Sequence, residues 1–116
     1  MQLVRPISIE WKVIESKHIK TKKHTGTLHK LSANNAEIKC DYTVEPLTNL
    51  QITIIDSERD LRMDNIYAKV VEVSLEDKYS FWIRFTSVPS DVAEWLYDLR
   101  QIATTPNSYE EIDLVT

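Results

Sequence analysis

Apolar side chains alternate with polar ones in five separate stretches, and this rhythm commits most of the chain to strands. Ile7, Ile9, Trp11 and Val13 alternate with Ser8, Glu10 and Lys12. The same period sets Ala36, Ile38, Cys40 and Tyr42 against Glu37, Lys39 and Asp41, and it returns at Leu50, Ile52 and Ile54 and at Ile66, Ala68 and Val70. Tyr79, Phe81, Ile83 and Phe85 form one face of a last stretch, with Ser80, Trp82 and Arg84 on the other. Successive side chains of a strand point to opposite faces, so each stretch can bury one face and wet the other. Val70 and Val71 are apolar on both parities, which predicts a bulge or burial on both sides. Residues 24–32 are less regular but bring Thr25, Thr27, Leu28 and Leu31 as a sixth strand candidate. Six short strands with turn-like spacers read as a small antiparallel barrel or a sandwich.

One helix is expected over 90–102. Ser90 and Asp91 follow Pro89 and suit its first turn, and Val92, Trp95, Leu96, Leu99 and Ile102 make an apolar stripe. Asp91, Glu94 and Asp98 take the opposite face, and Arg100 suits the helix dipole at the far end. With 116 residues the chain holds a single core, assigned to 1–103. Residues 104–116, with Glu110, Glu111 and Asp113, are expected to be a flexible tail or to fold onto a partner.

Chemistry is scarce in this sequence. Gly26 is the only glycine, so neither a Walker loop nor a dinucleotide fingerprint can be built, and no serine sits in a glycine-rich elbow. The lone Cys40 excludes an internal disulfide. His18, His24 and His29 lack metal-ligand spacing; in a continuous strand His24 and His29 would face opposite ways. Most carboxylates fall on outward positions. Neither an enzyme nor a metal site is expected. No apolar run approaches the ~18 residues of a membrane span, and nothing after Met1 reads as a signal region, so a cytoplasmic protein is the expectation. The net charge of −4 argues against nucleic acid as the partner. One strip runs the other way: between Ser16 and Ala36 there is no acid, while Lys17, Lys20, Lys22, Lys23 and Lys30 are all present. Lys20, Lys22 and Lys23 could attract phosphate, although lysine also simply solubilises loops and guards strand edges.

From Gly26 the chain reads Gly-Thr-Leu-His-Lys-Leu-Ser-Ala-Asn-Asn-Ala-Glu-Ile. This resembles the central motif of PilZ domains, Gly-x-x-x-Asp/Asn-x-Ser-x-x-Gly before an alternating strand, with Gly26 and Ser32 in place. Tyr-Ser-Phe-Trp-Ile-Arg-Phe at 79–85 and the helix from Ser90 are similar to the family's closing strand and helix. Arg5-Pro6-Ile7-Ser8-Ile9 is similar to the segment after its paired arginines. The resemblance covers about residues 5–102 and implies a six-stranded antiparallel barrel with one C-terminal helix.

It also implies a bacterial signalling module, since PilZ domains bind cyclic di-GMP and pass the signal to a partner. The carry-over onto this chain is partial. Arg5 fills the second arginine position, but Met1 stands at the first; Lys30 replaces the acid or amide, Asn35 replaces the closing glycine, and Trp82 stands where the last strand commonly has glycine. Arg5, Lys30, Ser32 and Asn35 are thus the remnant ligand positions. Lys30 is a donor-only cation where an acceptor for a guanine edge is needed. The expected function is signalling through protein contact, with Trp82 and Arg84 as interface candidates. No cofactor is required, cyclic di-GMP binding is weak or lost, and homo-oligomerisation stays open. The alternatives are a working cyclic di-GMP receptor using Lys20, Lys22 and Lys23, or a small-barrel binder of single-stranded nucleic acid.

Overall fold

Strand β1 (Gln2–Glu15) is hydrogen-bonded on both of its edges, and this closes the sheet. The computed structural model describes residues 2–32, 34–74, 76 and 79–104. Of the tail expected over 104–116, Thr104 belongs to the helix, and residues 105–116, like Met1, lie outside the described residues. After β1 come β2 (His18–Ile19), β3 (His24–Leu31), β4 (Asn35–Cys40), β5 (Asn49–Asp56), β6 (Leu61–Val73), β7 (Ser80–Ser87) and helix α1 (Ser90–Thr104). The hydrogen-bonded order β1-β3-β4-β7-β6-β5 returns to β1, and every pairing is antiparallel. The protein is a closed six-stranded antiparallel barrel with one C-terminal helix.

The two-residue β2 stands outside the ring and pairs with the end of β1 at Ile14↔Ile19 and Glu15↔His18. Ser16 and Lys17, with φ of 52° and 66°, make the connecting turn. Two left-handed residues in a two-residue hairpin loop match the right-handed twist of the flanking strands.

The alternating stretches fill the barrel as expected. Ile9, Trp11, Leu28, Ile38, Leu50, Ile52, Ile54, Ile66, Val70, Phe81 and Ile83 are all buried. The predicted irregularity at Val70–Val71 is a register shift between Val70 and Glu72. Two stretches differ from the sequence reading. Tyr42 and Tyr79 fall beyond the ends of β4 and β7 and are exposed, because the strands stop before reaching them. β6 begins at Leu61, well before its alternating part, because Asn65 at φ 63° interrupts the period. A bulge there shifts the pairing with β5 between Ile52 and Ile54.

Gly26 sits inside, beneath the Trp11 ring. A Cβ at this position would stand 2.7 Å from the Lys39 carbonyl oxygen, 3.0 Å from Cys40 Cβ and 3.0 Å from Trp11 Cζ3. The largest side chain of the core therefore uses the space that the only glycine leaves free. Trp11 also meets Phe81 edge-on, with ring centroids 5.7 Å apart, a favoured aromatic geometry.

Helix α1 covers the end of the barrel where β5 finishes. Val92, Trp95 and Leu96 join the core and Leu99 packs against it, while Asp91, Glu94 and Asp98 are exposed, as the stripe required. The side chains of Arg100 and Ile102 lie outside the described residues. Trp95 Nε1 donates to Asp56 Oδ2 at 3.0 Å in the interior. The same carboxylate accepts from Arg59 Nη1 at 2.9 Å and, through Oδ1, from the Arg59 backbone N–H at 3.4 Å. Burial works against ionisation of Asp56, but the bonds from Arg59 and Trp95, with the guanidinium charge, hold its carboxyl below the usual range. Among the described residues no helix is long and apolar enough to cross a membrane.

Two outcomes follow for stability. Gly26→Ala should lower the unfolding free energy by about 1–3 kcal/mol, the usual cost of overpacking, because two of the three contacts are backbone or core ring; an unchanged urea midpoint would contradict this packing. Asp56→Asn should cost about 1.5–3 kcal/mol at neutral pH, as for a lost charge-assisted bond. Since the folded pKa is depressed, Asp56 contributes fully above its unfolded value of about 4. The contribution is lost as pH falls through the folded value, so the variant should show a flatter acid limb in pH-dependent unfolding.

Candidate functional site

The outer wall of β3, β4, β7 and β6 gathers four of the nine candidate side chains. Its centre is a row running directly across four strands: Lys30↔Glu37, Glu37↔Trp82 and Trp82↔Glu72. A second row, Asn35↔Arg84 and Arg84↔Lys69, runs beside it. Antiparallel pairing places such opposed side chains within contact range on one face. Lys30, Asn35, Trp82 and Arg84 are therefore brought together by register, although they are far apart in sequence. Ser32 lies at the turn between β3 and β4, where its N–H donates to the Asn35 carbonyl at 2.9 Å. The turn is closed through the Asn35 backbone carbonyl, and Asn35 does not adopt a positive φ.

Glu37 is the residue the alternation pattern underrated. It reads as one more outward carboxylate, yet its side chain is only 13% exposed. Ser80 Oγ donates to Glu37 Oε2 at 3.0 Å. Lys30 Nζ lies 4.0 Å from Oε1, an ion pair beyond hydrogen-bond length, and Oε1 is buried with no hydrogen-bond donor. Nothing in the local sequence marks it, because its burial comes from Trp82 and Lys30 on neighbouring strands. Trp82 itself is half-buried and Arg84 is exposed.

Arg5 is not part of this wall cluster. It lies in the irregular part of β1, where the pairing with β3 shifts between Gln2 and Ile7. Its guanidinium is ion-paired with Glu58 in the turn between β5 and β6.

The lysine strip is at the other end of the barrel. Lys20, Lys22 and Lys23 precede β3, whereas Lys30 is near its end; six residues of strand put about 20 Å between His24 and Lys30. Nor is the strip uniformly basic in space. Lys20 pairs with Glu15 at 2.7 Å and Lys23 with Glu10 at 3.6 Å, both carboxylates coming from β1. Lys22 Nζ stands 5.9 Å from the centroid of Tyr42. Tyr42 stacks on His24 at 3.9 Å, and His24 on Trp11 at 5.7 Å, so this series of rings closes the rim. Burial first, and the Lys22 charge second, lower the His24 pKa below its ordinary value, with Asp41 opposing.

A polar groove of about 290 Å³ runs along the wall of β1, β5 and β6. Its charges answer one another: Glu10 faces Arg62 at 3.4 Å and Lys23 at 3.6 Å, and Thr53 Oγ1 donates to Asp64 at 2.8 Å. Among the described residues no group of three or more His, Cys, Asp or Glu could hold a metal ion.

No family model, curated protein or solved structure matches the chain.

Proposed function

We propose that this chain is a PilZ-like signalling module that acts through protein contact on the β4–β7–β6 wall, with cyclic di-GMP binding weak or lost. The observation that carries the reading is how the two remnant cations are engaged: Arg5 is held by Glu58, and Lys30 lies against Glu37. A nucleotide would have to displace these carboxylates before either cation could meet a phosphate. Neither pair is buried enough to lock, since Arg5 and Lys30 are 55% and 45% exposed. The obstacle is therefore the carboxylate charge beside each cation rather than rigidity. On the same wall, Trp82 and Arg84 are the residue types that most often anchor protein interfaces. Lys20, Lys22 and Lys23 are too distant to substitute at the remnant positions.

A second reading rests on Glu37. Its Oε1 without a donor, on the residue paired across from Trp82, is an acceptor of the kind a guanine edge requires, reached once its cover shifts. In that reading Glu37 replaces the acceptor lost at Lys30, and the chain is a cyclic di-GMP receptor.

Calorimetric titration with cyclic di-GMP separates the two. The protein-contact reading expects no saturable heat of submicromolar affinity from the wild type. It expects Lys30→Asn, which restores an amide acceptor for a guanine edge, to tighten binding at least 10-fold, about 1.4 kcal/mol. Stoichiometric submicromolar binding by the wild type, abolished by Glu37→Gln, would overturn it in favour of the receptor.

A further inference from the structure

Arg84 and Lys69 are two cations paired directly opposite each other, on β7 and β6. The line they begin continues on both sides without an acid, through Asn35↔Arg84 to β4 and through Lys69↔Asn49 to β5. Asn35, Arg84, Lys69 and Asn49 thus cross four strands in one row, three strand spacings or about 14 Å long. Opposed like charges destabilise a sheet, and nothing around this pair relieves it. Among the described residues no carboxylate comes into ion-pair range of Arg84 or Lys69. Glu37 and Glu72 stand one row away, on either side of Trp82. Glu37 is engaged by Lys30 and Ser80, and Glu72 makes no ion pair among the described residues. The chain carries a net charge of −4, so acids are in excess, yet this row holds none.

The row is built to give hydrogen bonds. Guanidinium and ammonium groups donate and cannot accept, and an asparagine amide at each end can turn its NH₂ outward. An arginine fork takes a carboxylate through two parallel bonds. A carboxylate seated between Arg84 and Lys69 would therefore exchange one repulsion for two attractions. The neighbouring row determines what can lie beside that carboxylate. Trp82 is two residues from Arg84 on the same face of β7, with Glu37 and Glu72 opposed to it. An apolar side chain can pack on the ring, whereas a second anion there would meet two carboxylates. This pattern suits an acid next to an apolar residue. It disfavours a nucleic-acid backbone, which carries a charge at every nucleotide.

We infer that the wall docks an acidic segment of a partner protein, one carboxylate clamped between Arg84 and Lys69 and a neighbouring apolar side chain lying on Trp82. This rests on the reading of the wall as a protein-contact face and adds the chemistry of the partner. The stability lost to the opposed cations keeps an anion site open, a trade common where a surface has a function.

NMR titration of the full chain with three probes tests it. The probes are the capped peptide Ala-Leu-Glu-Glu-Leu-Ala, the same peptide with Gln for both Glu, and a six-residue thymidine single strand. The acidic peptide should shift the backbone amides of Arg84 and Lys69 and the Trp82 indole N–H in a saturable way, and the Gln peptide should not. Arg84→Gln and Lys69→Gln should each weaken binding about 5-fold, the upper worth of an exposed ion pair. Lys69→Glu supplies the missing carboxylate from within the sheet. It should abolish peptide binding and raise the thermal midpoint by about 2–4 °C. Four results would each overturn the proposal: no saturable shift with the acidic peptide at millimolar concentration, equal binding of the Gln peptide, tighter binding of the thymidine strand, or a Lys69→Glu variant that binds like wild type and gains no stability. Cyclic di-GMP titration judges the underlying reading separately. Submicromolar nucleotide binding removes the contact reading, whereas a silent peptide without nucleotide binding removes only the acidic partner.

Discussion

From Ser8 to Trp11, β1 is paired with β3 on one edge and β5 on the other, and the remaining strands depend on that double pairing. Without it the six strands would be an open sheet with two exposed edges, each a template for unwanted pairing. Closure also confines the core: Trp11, on this same segment, fills the interior over Gly26 and against Phe81 of β7. Joining β1 to β5 brings together residues some forty positions apart, a costly loop to close before any contact rewards it. The seam is reinforced outside by Arg62 of β6 reaching Glu10 of β1. Inside, Ile9 and Ile54 face each other across it.

The helix solves a different problem. A barrel closed around its wall is still open at its ends, and α1 closes one with Val92, Trp95 and Leu96. Asp56 ties this lid to the wall, since one carboxylate accepts from the lid through Trp95 and from the adjoining turn through Arg59. The opposite end is closed by the His24–Tyr42 stack and by Val44, buried in the loop between β4 and β5.

Much of this was legible in period-two alternation, because each buried strand needs one apolar face and the residues from Ile7 to Val13 or Phe81 to Phe85 supply it. The start of β6 was not, because the bulge at Asn65 breaks the period that identifies a strand. Gly26 was legible as a scarce residue, but its packing role under Trp11 required the pairing of β3 with β1. The site was harder to read for the same reason. Charge along the sequence showed an acid-free lysine run, whereas charge in space is set by register, which brings Glu10, Glu15 and Glu37 from other strands to those lysines. Glu37 looked like a solubilising carboxylate because its cover arrives from β3 and β7.

Amide hydrogen exchange along β1, read residue by residue by NMR, tests closure most directly. In an antiparallel ladder, alternate amides of one strand point to alternate neighbours. A closed barrel therefore protects consecutive amides from Ser8 to Trp11, those directed at β3 and those directed at β5 alike. Slow exchange at every one of these positions is the result this account requires. Fast exchange at every second position would mean that β1 has one partner, and that the sheet is open.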